Sequence, residues 1–466
     1  MKKNICMYFQ VHQPFRMRKY SVFEIGQNSD YFDNKKNEEV MKKVAAKCYI
    51  PTNKLLLDLI KKNNGHFKVA FSITGTAIEQ FEQYAPKVLD LFKQLAATGS
   101  VEFLSETYYH SLSYIYSKNE FKHQVQMHKE KIKELFGQEP VIFRNTELIY
   151  NNELAHDVEE MGYKGIVAEG ADHVLGWRSP NFVYKAKTTK NLKLLLKNYK
   201  LSDDIAFRFS QKSWEDHPLT VEKFANWVTN SPGETVNLFM DYETFGEHQW
   251  ADTGIFQFLE HMPGKLLNMG VGFIKPSELL NFEVRDEVDV HNFVSWADVE
   301  RDLSAWLGNK IQNSAISELY AFEEKIKALG DKKILEDWRK MTTSDHFYYM
   351  CTKWFNDGDV HKYFNPYDSP YEGFINMMNV LNDLSLRINR VQLKNNLENN
   401  SESKLNVNSE IGSQNITNSS INSLNSLNSI EDVSINSNVF DANKGFENVN
   451  VNDGLILENP SIRLQR

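Results

Sequence analysis

At 466 residues the chain exceeds what one hydrophobic core usually serves, which predicts a large domain, a smaller partner and a tail. A formal net charge of -9, with no Lys/Arg stripe interleaved with aromatics, excludes a nucleic-acid footprint, and three scattered cysteines (Cys6, Cys48 and Cys351) exclude a disulfide framework or a zinc knuckle. The opening MKKNICMYFQVHQPF is too polar for a signal-peptide core and no apolar run approaches the roughly 20 residues that span a bilayer, so the expectation is a cytoplasmic protein with no membrane partner.

In chain order, short apolar runs alternate with longer helical patterns up to about residue 280. The runs are Ile5 to Gln10, Phe67 to Ile73, Val101 to Leu104, Val141 to Phe143, Gly165 to Ala168, Leu192 to Lys197, Val236 to Met240 and Val271 to Ile274. Between them, segments such as IPTNKLLLDLIKKN and AIEQFEQYAPKVLDLFKQLAATG place apolar residues three and four apart, as outer helices require. Seven or eight such units predict an α/β barrel with a parallel sheet over residues 1–280. From 281 to 390 amphipathic stretches such as DVERDLSAWLGNKIQNSAISELYAFEEKIKAL predict a helical domain. Beyond 391 Asn and Ser dominate, aromatics nearly vanish, and residues 391–466 read as a disordered tail.

In a barrel of this kind the reactive groups sit where strands end and loops converge. Four places qualify: His12 in MYFQVHQPF, Glu102 and Glu106 in VEFLSETYYH, Glu147 in VIFRNTELIY, and Asp241, Glu243, Glu247 and His248 in NLFMDYETFGEHQW. Cleaving a glycosidic bond with retention needs two carboxyl groups about 5 to 5.5 Å apart, one ionised and one protonated. Glu147, preceded by Arg144 and Asn145, suits the ionised role; Asp241, directly after an apolar strand, suits the protonated one. Taken singly, each carboxylate also fits a helix cap or a surface position, and His12 also fits a satisfied buried histidine. His12, Asp172, His173, Glu247 and His248 keep open a metal-dependent deacetylase or mannosidase, although no spacing matches HExxH or a facial triad.

HQP after the first run, FRNTELIY in the middle and MDYETFGEH after a later run resemble the ordered motifs of glycoside hydrolase family 57, α-amylase-like subgroup. LSDDIAFRFS, SWADVERDLSAWLGN and TSDHFYYM extend the resemblance over roughly residues 1–385. It implies an incomplete (β/α)7 barrel, TIM-like, followed by a C-terminal helical bundle, with retaining chemistry on α-1,4-glucans or maltooligosaccharides, no cofactor and no required metal. Its nucleophile falls on Glu147 and its general acid/base on Asp241. Substrate-binding positions fall on His12, Glu102, Asp345 and the adjacent His346. Trp296 is expected to stack on sugar, with Trp214, Trp250 and Trp354 as further candidates. A 4-α-glucanotransferase or branching enzyme with the same catalytic pair, and a non-catalytic glucan-binding amylase-like protein, remain open.

Overall fold

The computed structural model describes residues 3–353 and 365–410, with side chains through 398. Each of the eight predicted runs overlaps a strand: β1 (Asn4–Val11), β2 (Val69–Ile73), β3 (Val101–Phe103), β4 (Ile142–Arg144), β5 (Gly165–Glu169), β7 (Lys193–Lys197), β8 (Thr235–Asp241) and β9 (Gly272–Phe273). Two short strands without a clear apolar run, β6 (Val183–Ala186) and β10 (Glu287–Val288), were not anticipated.

The sheets run β3-β2-β1-β8 and β10-β6-β7-β5-β4, parallel throughout except for β6 against β7. A parallel bridge from Ser105 to Phe143 joins β3 to β4. On the other side the Asn198 amide donates to the Asn237 carbonyl (2.9 Å) and the Asn237 side chain donates to Leu196 O (2.8 Å). These links turn two sheets into a ring of seven parallel strands, β1-β2-β3-β4-β5-β7-β8, which agrees with the incomplete (β/α)7 barrel that the resemblance implies. The ring is thin at its seams. β9 pairs with β1 only at Asn4 and Ile5, filling the gap beneath β2.

Strand alternation divides the ring into an outside and an inside. Ile5, Met7, Phe9 and Val11 of β1 face the apolar layer under the helices, whereas Cys6 and Tyr8 join a separate inner cluster with Ala70, Leu104, Ile142, Val167, Leu195 and Phe239. One step further along each strand, two residues on, the inward position becomes polar: Gln10, Ser72, Glu106, Arg144, Glu169, Lys197 and Asp241. The barrel is thus plugged by side chains in its middle and crowned by a polar belt at its C-terminal mouth.

Helices Ile50–Lys62, Gly75–Tyr84 and Pro86–Ala97 cover the first strands. The long pattern beginning at Ala77 breaks between the last two because Pro86 cannot continue a helix but suits its first turn. In the helical region, Lys310–Ala321, Glu323–Leu329 and Lys332–Met341 surround a core centred on the fully buried Trp338. That core also takes Phe15, Met17, Tyr20, Tyr31 and Phe32 from the segment after β1, so the helices are packed on by residues the sequence assigns to the barrel. Met1–Glu398 form one compact unit. The last helix, Pro370–Glu410, crosses the expected start of the tail at 391; residues 411–466 lie outside the described residues.

Candidate active site

A cleft of about 1230 Å³ opens above the polar belt, large enough for several sugar rings. Glu147 reaches it from a single 3-10 turn after β4, with its own backbone in the left-handed region (φ 57°, ψ 26°). Such a conformation costs a non-glycine residue free energy and persists only where surroundings enforce it. The Trp296 amide donates to the Glu147 carbonyl at 3.2 Å, and the Leu148 amide ties the turn to Asn145 O. Of the six non-glycine residues with positive φ among the described residues, four (His110, Glu147, Asp298 and Arg301) line this cleft. Backbone strain is concentrated where chemistry would use it.

Both oxygens of Glu147 accept a hydrogen bond: Oε1 from His110 Nε2 at 2.8 Å, Oε2 from Trp296 Nε1 at 2.7 Å. Burial alone would raise its pKa, but the His110 hydrogen bond and charge, with Arg144 and the Trp296 donor, hold it below the usual carboxylate range. Asp241 ends β8, facing inward by the same alternation. Burial, and then the negative charge of Glu147, push it up to about 6 against the opposing pull of Arg144, Lys197 and His110. Two carboxyl groups, one from the turn after β4 and one from the end of β8, therefore line one cleft, the first with its pKa lowered and the second with its pKa raised.

Around them the belt is a charge network. Glu106, fully buried, accepts from Gln10, Ser72, Arg144 and His110; burial would raise it, but His110 and Arg144 bring it down to about 2. Lys197 bridges Asp203 (3.1 Å) and Glu169 (3.7 Å), and the cations of Lys197 and Arg144 both lie against the Trp296 ring, at 5.2 and 5.3 Å. Trp296, the donor to Glu147, is clamped by them. Glu243 also lines the cleft; burial and the nearby Asp241 raise it to about 8, and the Tyr49 hydroxyl donates to it.

His12 and Asp345 meet in the cleft at 2.9 Å, and the His12 ring stacks on His110 with centroids 4.0 Å apart and planes 20° from parallel. Donor atoms of His12, His110 and Asp345 lie within 4.8 Å of one another, the one such trio among the described residues. Near-parallel rings send their in-plane lone pairs side by side rather than toward a common point, and both nitrogens of His110 already face carboxylates, so the trio fits a hydrogen-bonded array better than a metal cage. Asp172, His173, Glu247 and His248 line the cleft but do not converge into a ligand set, and Glu247 is taken by Lys43 at 2.7 Å.

Two expected positions lie away from the cleft lining. Glu102 does not reach the cleft: it points inward four residues before Glu106, about 13 Å lower along the strand, where its carboxylate accepts from the Ser277 amide (3.0 Å) and hydroxyl (2.7 Å). His346 is buried and does not line the cleft, because neighbours on the helix Ser344–Tyr348 point about 100° apart and Asp345 takes the open side. Trp214 packs edge-on against Trp227 outside the site, Trp250 lines the cleft with 55% of its surface exposed, and Trp354 lies outside the described residues. Sequence reasoning missed His110, whose one signal was its place four residues after Glu106, and Lys197, which a count of inward positions would have found.

The family model described as glycosyl hydrolase family 57 matches residues 6–291. A curated protein of Methanocaldococcus jannaschii, described as "Putative alpha-amylase", is 43% identical over 418 residues, covering 86% of this chain and 88% of that protein. Among solved structures, a GH57-type branching enzyme from Pyrococcus horikoshii superposes with a TM-score of 0.60 at 15% identity, covering 84% of this chain and 95% of that one. A 4-alpha-glucanotransferase from Thermococcus litoralis gives 0.53 at 17% identity, covering 81% of this chain and 59% of that longer one. At such identities the two structures speak for the fold.

Proposed function

Because the chain belongs to glycosyl hydrolase family 57, we propose that it is a retaining hydrolase of α-1,4-glucans of the α-amylase type, with Glu147 as nucleophile and Asp241 as general acid/base. The observation that carries this reading is the opposite tuning of the two carboxyl groups across one cleft. Glu147 attacks the anomeric carbon while Asp241 gives its proton to the departing oxygen. Once Glu147 is esterified its charge is gone, which removes the main electrostatic reason for the high pKa of Asp241. Asp241 is then the base that takes a proton from water as the ester is cleaved.

His12, Asp345 and Trp296 would contact the bound sugar, since all three line the cleft beside Glu147. The structural neighbours named for branching and glucan transfer leave the acceptor of the second step as the point to test. Product analysis from a maltooligosaccharide of defined length decides it: shorter sugars alone mean hydrolysis, longer ones transfer, new α-1,6 links branching. Formation of none of these would sink the enzymatic reading in favour of glucan binding without turnover.

The pH dependence follows from the same tuning. Asp241 must be protonated to act first, so kcat/KM on maltooligosaccharides should fall as pH rises through about 6. The acid limb, set by Glu147, should lie below the ordinary carboxylate range. An alkaline limb near 8 or above would point to another acid, Glu243 first.

Trp250, exposed on the cleft wall with Lys47 Nζ 5.2 Å from its ring centre, offers a flat face for a sugar further along the chain. Trp250→Ala should weaken binding of long glucans by about tenfold and leave the shortest substrates little changed. An equal loss on all lengths, or a drop in Tm, would make it a packing residue.

Residence in the cytoplasm goes with this reading, supported by three free, buried thiols that suit a reducing compartment. The partition into a catalytic barrel of residues 1–280, a helical domain of 281–390 and a tail of 391–466 likewise stands as a proposal, supported by the separate apolar clusters of barrel and helices.

A further inference from the structure

We propose that His110 is the charge partner of the nucleophile and that it accelerates the second half of the reaction, the release of the sugar from Glu147. The inference rests on the assignment of Glu147 above and goes beyond it by dividing the two half-reactions between different groups.

His110 sits in the irregular segment after β3, in the left-handed region at φ 52°. Its amide donates to Thr107 O (3.1 Å) and its carbonyl accepts from the Ser344 amide (2.9 Å), while its ring stacks on His12. So held, Nε2 lies 2.8 Å from Glu147 Oε1 and Nδ1 lies 3.3 Å from Glu106 Oε2. Both neighbours are acceptors when ionised. An imidazole between two carboxylates satisfies both only with a proton on each nitrogen, that is, as the cation. The groups facing it are Glu106, Glu147, Asp241 and Asp345 on one side of the balance and Arg144 and His12 on the other. Burial and Arg144, whose Nη1 is 3.3 Å from Nδ1, would discharge the ring, yet the hydrogen bonds to Glu106 and Glu147 prevail and raise it to about 9.

A fixed cation on Glu147 acts oppositely on the two steps. In the first, Glu147 gives an electron pair to the anomeric carbon, the bond to the departing oxygen breaks, and that oxygen takes the proton of Asp241. The carboxylate loses its charge, so His110 stabilises the state before attack more than the transition state. In the second, the oxygen of water bonds to the same carbon, Asp241 accepts a proton, and the electron pair of the ester bond returns to Glu147. Negative charge now develops in the transition state directly under His110 and the Trp296 donor, and only interactions that strengthen there increase the rate. His12, held neutral by burial and by the charge of His110, supplies a stacking face without competing for Glu147.

The test is the balance between the steps. His110→Asn and His110→Gln keep a hydrogen-bond donor and lose the charge. Each should slow release by about ten- to a hundredfold, so that intact-protein mass spectrometry during turnover of a maltooligosaccharide finds a glycosyl adduct that the unmodified enzyme does not accumulate. Because Glu106 would then keep Arg144 alone as its cation, a measurement on the unmodified enzyme stands beside the variants: above the pH at which Asp241 ionises to act as the base, the rate at which a fluorosugar-trapped glycosyl enzyme reactivates should fall with rising pH. Its midpoint should lie below 9, since the esterified Glu147 no longer holds the proton on His110. Turnover lost without an adduct, or reactivation independent of pH up to 9, would overturn the role of His110. An adduct mapped to a residue other than Glu147 would instead overturn the parent assignment.

Discussion

Glu147→Gln should lower kcat on maltooligosaccharides by about 10⁴-fold or more, because a neutral amide cannot give the anomeric carbon the electron pair on which a covalent intermediate depends. The fold should survive. Gln has the shape of Glu, its carbonyl oxygen can still accept from Trp296 Nε1 or His110 Nε2, and the left-handed backbone at this position is equally strained for either residue. Loss of the charge should also lower the pKa of Asp241 from about 6, since the Glu147 carboxylate is the largest cause of that elevation after burial. Glu147→Ala with added azide gives a sharper readout. Azide entering from the vacated face makes one displacement instead of two, so the product should be the β-glycosyl azide. Near-normal activity of the purified Gln variant on maltooligosaccharides, with an unchanged melting curve, would refute the assignment.

The position of this residue was readable from the chain only in part. Alternation along the strands marks the inward positions, and a change from apolar to polar two residues on (Tyr8 to Gln10, Leu104 to Glu106, Leu195 to Lys197, Phe239 to Asp241) marks the mouth of the barrel. Asp241 is legible by that rule, and so is the whole polar belt. Glu102 and Glu106 share a face, so alternation cannot choose between them; height can, because the mouth lies at the C-terminal ends of parallel strands, and Glu106 is the higher. Glu147 is different. It lies three residues past the inward Arg144, in a turn whose left-handed backbone has no glycine to announce it, and its role reached the sequence reading through the motif around it.

Other parts were hidden for a related reason. His110, Trp296 and the stretch from Phe15 to Phe32 sit in irregular segments, where no period links one residue to the next and neighbours are set by tertiary packing. The helical region was legible as helices, but its core is completed by aromatic side chains delivered from the loop after β1, a contact spanning some 300 residues of sequence that no local pattern encodes. That loop leaves the barrel between His12 and Asn34, and Asp345 of the helical region returns to meet His12. The cleft is therefore lined jointly by residues of the barrel and of the helical region.

Asp241→Asn should divide substrates by their leaving groups. On maltooligosaccharides, whose departing oxygen is a poor leaving group, the loss should be about 10³-fold, within the range that general acid catalysis supplies. On aryl maltosides with acidic phenols the first step needs little protonation and should proceed almost normally, while the second, deprived of its base, should stall. A burst of phenol equal to the enzyme concentration, followed by slow turnover, is the expected trace. Azide needs no base and should restore the steady rate, giving the α-glycosyl azide because it attacks an intermediate already inverted once. Stability provides an independent check of sign. Asp241 has a folded pKa raised to about 6, so ionising it costs the native state stability that is lost progressively as pH rises from the unfolded value through 6. Removing the ionisable group should leave Tm at pH 8 equal to or above that of the unmodified protein. An equal loss on natural and activated substrates, with no burst and no rescue by azide, would remove Asp241 from the acid/base role and turn attention to Glu243, a buried carboxyl group on the same loop whose pKa is also raised.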